Sequence, residues 1–354
     1  MTARTSQEAP DEPAGQAIRI HFTGHELGRS RLQLAIACGV VRDDPHPYQQ
    51  LAGFARGRWR ACALEEADVV VHALPYQNDA ETEQVAQMAR EAGLPCVFFR
   101  ANDDPAPARP SWGTVYRTSI DRAQRTPCEQ AVPAIADDLL AECGGDLVVR
   151  KKSERASVGF CGHVGGPREL LFRRVVGQIL GGGQRDKARG MLLRARALEL
   201  LRQSERIDAK LIARNQIWGG ASIRSDAPDD TARRAAVRRD FLDNLIDCDY
   251  GLALRGKGNY SFRLYEVLAM GRIPLFVDTR CVLPFESEID WRKHCVWVDE
   301  ADLSWIDEIV AQFHADLHPD DFEALQLANR QLWLDFMTPA AIYSRILERA
   351  LAGR

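Results

Sequence analysis

The sequence predicts an α/β protein made of two doubly wound, Rossmann-like domains, each a parallel sheet covered by helices. Short apolar runs alternate with helical stretches between residues 18 and 351, which is typical of parallel strands joined by crossover helices. The clearest unit is residues 250–277, where strand, glycine-rich turn, helix and strand follow one another. A length of 354 residues also favours two domains of ordinary size.

The first predicted domain covers residues 17–150 and follows a polar segment, residues 1–16, that is predicted to be disordered. The glycines at 144 and 145 and the charged run 150–155 predict an exposed linker at its end. Strands are expected at 18–22, 67–74, 96–100 and 115–119, and helices at 33–38, 47–61 and 79–92.

The second predicted domain covers residues 151–336, and the last helix, within 337–354, is expected to pack back toward the first domain. Helix 189–202 is dotted with arginines and is predicted to present a solvated face. The loop 162–167 is either a tight strand-to-helix turn or a ligand contact. Further strands are expected at 158–161, 209–213, 250–254, 273–277 and 296–298, and further helices at 168–180, 231–246, 261–270, 304–315 and 319–336.

Composition limits the class of function and the compartment. The net charge of −4 argues against a general nucleic-acid binder. Nine scattered cysteines without a CxxC pair favour reduced thiols in a reducing compartment. No apolar run approaches the ~18 residues of a membrane span, and the N-terminus lacks the pattern of a signal peptide. These features predict a cytoplasmic protein.

The turn between the strand at 250–254 and the helix at 261–270 carries the clearest chemical signal. The backbone N–H groups of Ser261 and Phe262, at the start of the helix, are predicted to bind an anion. Glu266, one turn further on, could accept hydrogen bonds from two ribose hydroxyls. The alternative is that Arg263 and Glu266 form a surface ion pair and the glycines only turn the chain. The other candidate phosphate-binding residues are Arg255, Lys257, Gly258, Asn259 and, as a weaker choice, Arg214.

The segment RGKGNYSFRLYEVLAMGRIPLFVDTRCVLPFESEIDW (255–291) resembles the signature block of the exostosin-like glycosyltransferase family, most closely a soluble bacterial-type member. The matching elements are Ser261, Arg263, Leu264, Tyr265 and Glu266, then Gly271, Ile273 and Pro274, then Leu283, Pro284, Phe285, Ile289, Asp290 and Trp291.

The resemblance implies the GT-B fold, in which the two domains face each other across a cleft. It implies a nucleotide-sugar donor in the second domain, a glycan or lipid-linked glycan acceptor in the first, and transfer that inverts the anomeric centre. The product is expected to be a cell-envelope polysaccharide, and contacts with other glycosyltransferases or the membrane surface are compatible with this reading. No cofactor and no metal are expected, because cations of the turn would neutralise the leaving diphosphate.

Three residues compete as the base that takes the acceptor's proton, and a residue outside these three is the further alternative. His25 follows the first strand, and a histidine suits this role near neutral pH. Asp103 and Asp104 follow the strand at 96–100, although Asp104 before a proline is also a typical turn residue. His314 and His318 have the spacing of two metal ligands on a helix, but a third ligand is not evident.

Two other classes of function remain open at this stage. One is a non-catalytic partner that keeps the GT-B fold and stabilises or positions another transferase. The other is a nucleotide-linked epimerase or dehydrogenase, which the missing G-x-G-x-x-G fingerprint after the first strand makes less favourable.

Overall fold

A computed structural model describes residues 17–25, 32–40, 57–166, 168–172, 175, 183–216, 220–222 and 227–353 of the chain. The chain forms two compact units. The N-terminal unit consists of Ala3–Asp137, Val282–Phe285 and Asp335–Arg354, and the C-terminal unit contains Asp138–Cys281 and Glu286–Leu334. The segment 1–16, predicted to be disordered, lies outside the described residues.

The N-terminal unit contains a parallel sheet of six strands in the order β2-β1-β3-β4-β5-β6. Helices α1 (Gln33–Ala37) and α2 (Ala80–Glu91) follow β1 and β3 in the chain. Asp79 caps α2, because its side chain accepts a hydrogen bond from the Thr82 N–H. The strands are β1 (Ile18–Thr23), β2 (Trp59–Ala61), β3 (Val69–Pro75), β4 (Cys96–Arg100), β5 (Thr114–Arg117) and β6 (Glu129–Ala131).

The helix predicted at residues 47–61 is wrong at its C-terminal end. Residues 59–61 form β2, which pairs in parallel with β1 from Ile18 to Ile20. The three residues are extended because β1 offers a free edge, and this pairing overrides their local propensity. Residues 47–56 lie outside the described part of the chain, as does most of the helix predicted at 168–180.

The C-terminal unit contains a parallel sheet of five strands in the order β11-β10-β9-β7-β8. Its strands are β7 (Ser157–His163), β8 (Asp208–Arg214), β9 (Tyr250–Ala253), β10 (Ile273–Asp278) and β11 (Val296–Asp299). Its helices are α3 (Leu139–Glu142), α4 (Gly183–Gln203), α5 (Pro228–Asp247), α6 (Phe262–Ala269), α7 (Ile306–Asp316) and α8 (Pro319–Phe336). Both sheets confirm the predicted α/β class.

The charged segment predicted as a linker is anchored to the C-terminal unit. Arg150 donates from Nε to the carboxylate of Asp249 at 2.6 Å, and Asp249 is fully buried at the start of β9. The same carboxylate accepts a hydrogen bond from the Ser157 N–H at 3.1 Å. These bonds fix the entry into β7, one of the strands on which the site described below depends.

The last helix, α9 (Pro339–Ala352), belongs to the core of the N-terminal unit. Its apolar face packs against the side chains of Ile20, Val71 and Phe99 in the first sheet. The predicted return of the C-terminal helix to the first domain is therefore confirmed. The face consists of Ile342, Tyr343, Ile346 and Leu347, all of them buried.

Removing part of this face should destabilise the N-terminal unit. We expect Ile346→Ala to lower its free energy of unfolding by ~2–5 kcal/mol, because the fully buried side chain leaves a cavity against the sheet. Hydrogen exchange of peptides from β1 and β3 measures the effect. Glu348→Ala, an exposed change on the same helix, is the control. Equal exchange rates in both variants would contradict the packing described.

No helix in the described part of the chain combines the length and apolar character needed to cross a membrane.

All nine cysteines are free thiols, and burial raises the pKa of Cys248 to about 12 and that of Cys38 to about 11. The thiols of Cys248 and Cys38 are therefore protonated at neutral pH and poor nucleophiles.

Candidate functional site

The strand order of the C-terminal sheet indicates where a ligand would bind. From β7 the chain moves to β8 on one side, and β9 then pairs with the other side of β7. In open parallel sheets ligands bind beyond the carboxyl ends of the strands at such a switch point. The loops that follow β7 and β9 therefore define the candidate site.

The turn after β9 is held in shape by its own polar groups. Arg255 is only 4% exposed, and its Nη2 donates to the carbonyl of Lys257 at 3.3 Å. Asn259 is buried, and its amide exchanges hydrogen bonds with Thr279 at the end of β10 at 3.2 and 2.6 Å. Asn259 therefore fixes the turn to the neighbouring strand. Gly258 is buried, and the side chain of Lys257 is exposed.

The turn leads into the N-terminus of α6, which lacks a side-chain cap. Ser261 occupies the N-cap position with extended backbone (φ −133°, ψ 117°), and its hydroxyl makes no hydrogen bond to the first turn. Phe262, the first helical residue, is 49% exposed, and its ring lies 5.7 Å from that of Tyr260. The first backbone N–H groups of α6 are thus available to an external acceptor.

Arg263 and Glu266 form an ion pair on α6, with Nε 3.5 Å from Oε2. The surface-pair alternative does not describe it, because the Arg263 guanidinium lies 4.2 Å from the ring centroid of Phe241. Its Nη2 also donates to the carbonyl of Cys161 in β7. Burial lowers the pKa of Arg263, and the nearby Glu266 raises it. Arg263 therefore links α6 to β7 and orients the partly exposed carboxylate of Glu266.

Arg214 lies at the end of β8, an edge strand. Its Nη2 donates to Asp240 Oδ2 on α5 at 2.6 Å. This ion pair occupies the guanidinium, and the residue stands one strand away from the switch point. Arg214 is consequently less suited to a ligand than the residues of the turn.

His163, at the end of β7, is a site residue that the sequence reasoning missed. Its Nε2 lies 3.9 Å from Glu169 Oε2, and the positive charges of Arg194 and Lys257 act on its imidazole. The loop after it needs glycine at Gly165, where φ is +90° and a Cβ would lie 2.7 Å from Met191. The sequence indicated only that the loop 162–167 after the predicted strand was a turn or a ligand contact, and it did not single out the imidazole.

The environment of His163 predicts a pH dependence of stability. Burial lowers its pKa, the charge of Glu169 raises it, and Arg194 and Lys257 lower it, with a net decrease. The neutral imidazole therefore stabilises the fold fully above the unfolded pKa of ~6.5, and this contribution is lost as the pH falls through the folded pKa.

His163→Gln removes this titration. We expect the melting temperature of the wild type to fall relative to that of the variant as the pH is lowered from 8 to 5, in scans of both proteins. A difference between the two proteins that stays constant over this range would contradict the assignment.

The three candidate bases lie in the N-terminal unit. His25 follows Gly24, whose φ is +75° and where a Cβ would lie 2.8 Å from the ring of His72. This places His25 beside the switch point of the first sheet, between β1 and β3. Thr23 and the buried His72 share a hydrogen bond of 2.9 Å across these two strands. The turn before His25 is therefore tightly fixed.

Asp103 and Asp104 lie in the loop after β4. Asp104 Oδ1 accepts the Ala106 N–H at 2.9 Å, and its Oδ2 lies 3.4 Å from Nη1 of Arg100. The carboxylate of Asp104 is therefore used within its own loop, as a turn residue. Asp103 is partly exposed.

The two histidines with metal-ligand spacing are not brought together as a site. His314 is buried, with Nδ1 2.9 Å from the Tyr250 hydroxyl and Nε2 2.9 Å from the Ser153 carbonyl. His318 is exposed beside Asp320. Among the residues that the structure describes, no group of three His, Cys, Asp or Glu side chains could hold a metal ion.

A glycine-rich turn and an uncapped helix N-terminus thus lie at the switch point of the C-terminal sheet, an arrangement that suits phosphate groups in α/β proteins. Residues 181–313, which include this turn, match the exostosin GT47 domain. Exostosin-1 of Drosophila melanogaster is 37% identical over 87 residues, which are 25% of this chain and 11% of that protein. The Exostosin-1 homolog of Caenorhabditis elegans is 32% identical over 73 residues, 21% of this chain and 19% of that protein. The family match therefore covers part of the chain, the part that contains the turn after β9 and helix α6.

These alignments span less than a fifth of the length of both curated relatives. A solved glycosyltransferase from Rickettsia africae ESF-5 has a TM-score of 0.41 at 8% identity, covering 96% of this chain and 100% of that one. The glycosyltransferase VinC, solved in complex with DTDP, has a TM-score of 0.30 at 13% identity, covering 82% of this chain and 73% of that one.

Proposed function

We propose that the protein is an inverting glycosyltransferase that moves a sugar from a nucleotide-sugar donor to a glycan or lipid-linked glycan acceptor. One observation carries the proposal. The uncapped N-terminus of α6 lies at the switch point of the C-terminal sheet, and the Glu266 carboxylate stands one turn along the same helix. A diphosphate at the helix end and a ribose beside the carboxylate fit this spacing.

Each residue of the turn has a distinct part in donor binding. The N–H groups of Ser261 and Phe262 bind the diphosphate, and Gly258 lets the backbone approach it. Lys257 supplies an exposed positive charge, and Arg255 adds a second one beneath the turn. Two residues act indirectly, since Asn259 holds the turn and Arg263 orients Glu266. Arg214 contributes only through the general potential of the site.

The transfer needs a base in the N-terminal unit. As the acceptor oxygen attacks the anomeric carbon, its proton passes to the base. The bond from that carbon to the diphosphate breaks on the opposite face, which inverts the centre and releases the nucleoside diphosphate. We assign the base to His25, because it stands at the switch point of its sheet, whereas the carboxylate of Asp104 is engaged by Ala106 and Arg100. Asp103 is the remaining competitor.

The leaving diphosphate gains its stabilisation from Lys257, Arg255 and the α6 N-terminus, so the reaction needs neither a metal ion nor a cofactor. We place the enzyme in the cytoplasm, at the inner face of the membrane, where it contributes to a capsule, O-antigen or lipopolysaccharide. At that surface it would meet a lipid-linked acceptor and other glycosyltransferases.

Thermal shift with a panel of nucleoside diphosphates and nucleotide sugars, with and without magnesium, tests donor binding. A ligand at ~100 times its dissociation constant should stabilise the protein by ~2.7 kcal/mol. We expect one nucleotide family to raise the melting temperature equally with and without the metal. A response that requires magnesium would refute metal independence, and no response across the panel would refute the donor site.

A non-catalytic partner of another transferase is the second candidate. The observation that favours it is the extent of the family match, which covers residues 181–313 and leaves out the three candidate bases. Such a protein would bind the donor nucleotide through the same turn and turn over no acceptor. Sugar transfer by the purified chain would exclude it.

A further inference from the structure

Helix α4 contacts the candidate donor site through a partly buried arginine. The sequence predicted a solvated face on this helix, and Arg196 and Arg202 are exposed. Arg194 departs from that prediction. The guanidinium of Arg194 donates from Nη1 to the carbonyl of His163 at 2.7 Å. Its Nη2 donates to the carbonyls of Arg255 at 3.2 Å and Leu254 at 3.4 Å. One side chain thus joins the carboxyl ends of β7 and β9, the two strands on either side of the switch point.

Gly190 lies one turn before Arg194 on the same face of α4. A Cβ at this position would lie 1.8 Å from the carbonyl oxygen of Gly256, far inside van der Waals contact. The backbone of α4 therefore rests directly on the glycine-rich turn, and only glycine permits this approach. Two independent features of α4 fix the same turn.

The charge on Arg194 is held in an unusual setting. Its guanidinium lies 5.7 Å from the ring centroid of Phe160, and that of Arg263 lies 5.8 Å from the same ring. Its Nε is buried, without a hydrogen-bond partner in the described part of the chain. Burial and then the neighbouring Arg263 lower the pKa of Arg194 to about 10, so the group remains charged at neutral pH. A bound anion would favour this charge.

We infer that Arg194 and Gly190 are positioning residues for the donor: together they hold the turn that follows β9 in the shape that binds a nucleoside diphosphate. The inference rests on the proposed function. Neither residue needs to touch the ligand. Arg194 sets the separation of the two loops through three carbonyl groups, and Gly190 sets the distance of the turn from α4.

The test measures dissociation constants of UDP, GDP and dTDP by calorimetry for the whole chain and its variants. We expect both variants to weaken binding of the nucleotide that binds the wild type by about 10-fold to 100-fold. Arg194→Ala loses charge-assisted hydrogen bonds to the two loops, and Gly190→Ala displaces the turn because its Cβ would clash with the Gly256 carbonyl. Millimolar guanidinium should restore much of the affinity of Arg194→Ala and none of that of Gly190→Ala. Arg196→Ala, an exposed change on the same helix, should bind like the wild type.

The outcomes separate the inference from the proposed function. If the wild type binds a nucleotide and a folded Gly190→Ala or Arg194→Ala binds it equally well, the positioning role is overturned and the donor site stands. If affinity falls only in proportion to the unfolded fraction, and guanidinium restores none of it, the role is structural and the inference also fails. If the wild type binds none of the nucleotides, the proposed function fails first and the inference with it.

Discussion

Glu266→Ala is expected to weaken nucleoside diphosphate binding by two to four orders of magnitude. Two ribose hydroxyls donating to a carboxylate contribute roughly 1.5–3 kcal/mol each. Losing both, ~3–6 kcal/mol, raises the dissociation constant by about two to four orders of magnitude. The fold should survive, because Glu266 is partly exposed and its pair with Arg263 spans 3.5 Å.

Calorimetry of the wild type and the variant measures this loss. Glu266→Gln keeps the size of the side chain and removes its charge. Its dissociation constant for the nucleoside diphosphate should therefore lie between those of the wild type and Glu266→Ala. Glu323→Ala is the matched control, since it removes a carboxylate of the same unit whose partner is the exposed Lys151. An unchanged dissociation constant in Glu266→Ala would show that the ribose does not bind at Glu266.

Glu129→Ala is expected to destabilise the N-terminal unit by ~3–5 kcal/mol. Glu129 and Arg117 form an ion pair that is almost completely buried, at the carboxyl-terminal half of β5 and the start of β6. Removing one partner leaves the other as an uncompensated buried charge. The Glu129 carboxylate also accepts the N–H groups of Ala108 at 2.6 Å and Thr126 at 2.8 Å, which would lose their acceptor.

The ionised form of the Glu129 carboxylate is the form that stabilises the N-terminal unit. Burial raises its pKa, but the two N–H groups and Arg117 outweigh burial and hold the pKa below its usual range. Its contribution is present above the unfolded pKa of ~4.3 and is lost as the pH falls through the folded pKa.

Hydrogen exchange of peptides from β4 to β6 at neutral pH measures the loss of stability in Glu129→Ala. Peptides of the C-terminal unit serve as an internal reference. The double variant Arg117→Met, Glu129→Leu removes both charges and should lose less stability than Glu129→Ala. A double variant less stable than the single one would show that the backbone hydrogen bonds, rather than the unpaired charge, dominate.

The central strand–turn–helix–strand unit could be predicted from the sequence nearly residue by residue. The prediction of 250–254, 261–270 and 273–277 compares with Tyr250–Ala253, Phe262–Ala269 and Ile273–Asp278 in the structure. These elements are encoded locally, by continuous apolar runs, a helical repeat and glycines at the turns. The candidate anion site could be predicted for the same reason, because helix N-termini follow from helix boundaries.

Features that depend on distant parts of the chain could not be predicted. Arg194 donates hydrogen bonds to the carbonyls of His163 and Arg255, which are 31 and 61 positions away in the sequence. The spacing of arginines on a helix carries no information about such distant partners. Arg263 and Asn259 look like ligand contacts in sequence, yet Nη2 of Arg263 donates to Cys161 in β7 and the Asn259 amide is bonded to Thr279. The strand β2 has three residues and exists only because β1 pairs with it.

Sugar transfer by the purified chain tests the central claim most directly. The nucleotide sugar selected by thermal shift is incubated with the protein and a membrane extract rich in lipid-linked glycans, and released nucleoside diphosphate and the anomeric configuration of the product are measured. We predict release that depends on the acceptor, an inverted product, and at least a tenfold loss of rate in Glu266→Ala. Tight binding of the nucleotide sugar without transfer to any acceptor would contradict the claim and favour the non-catalytic partner.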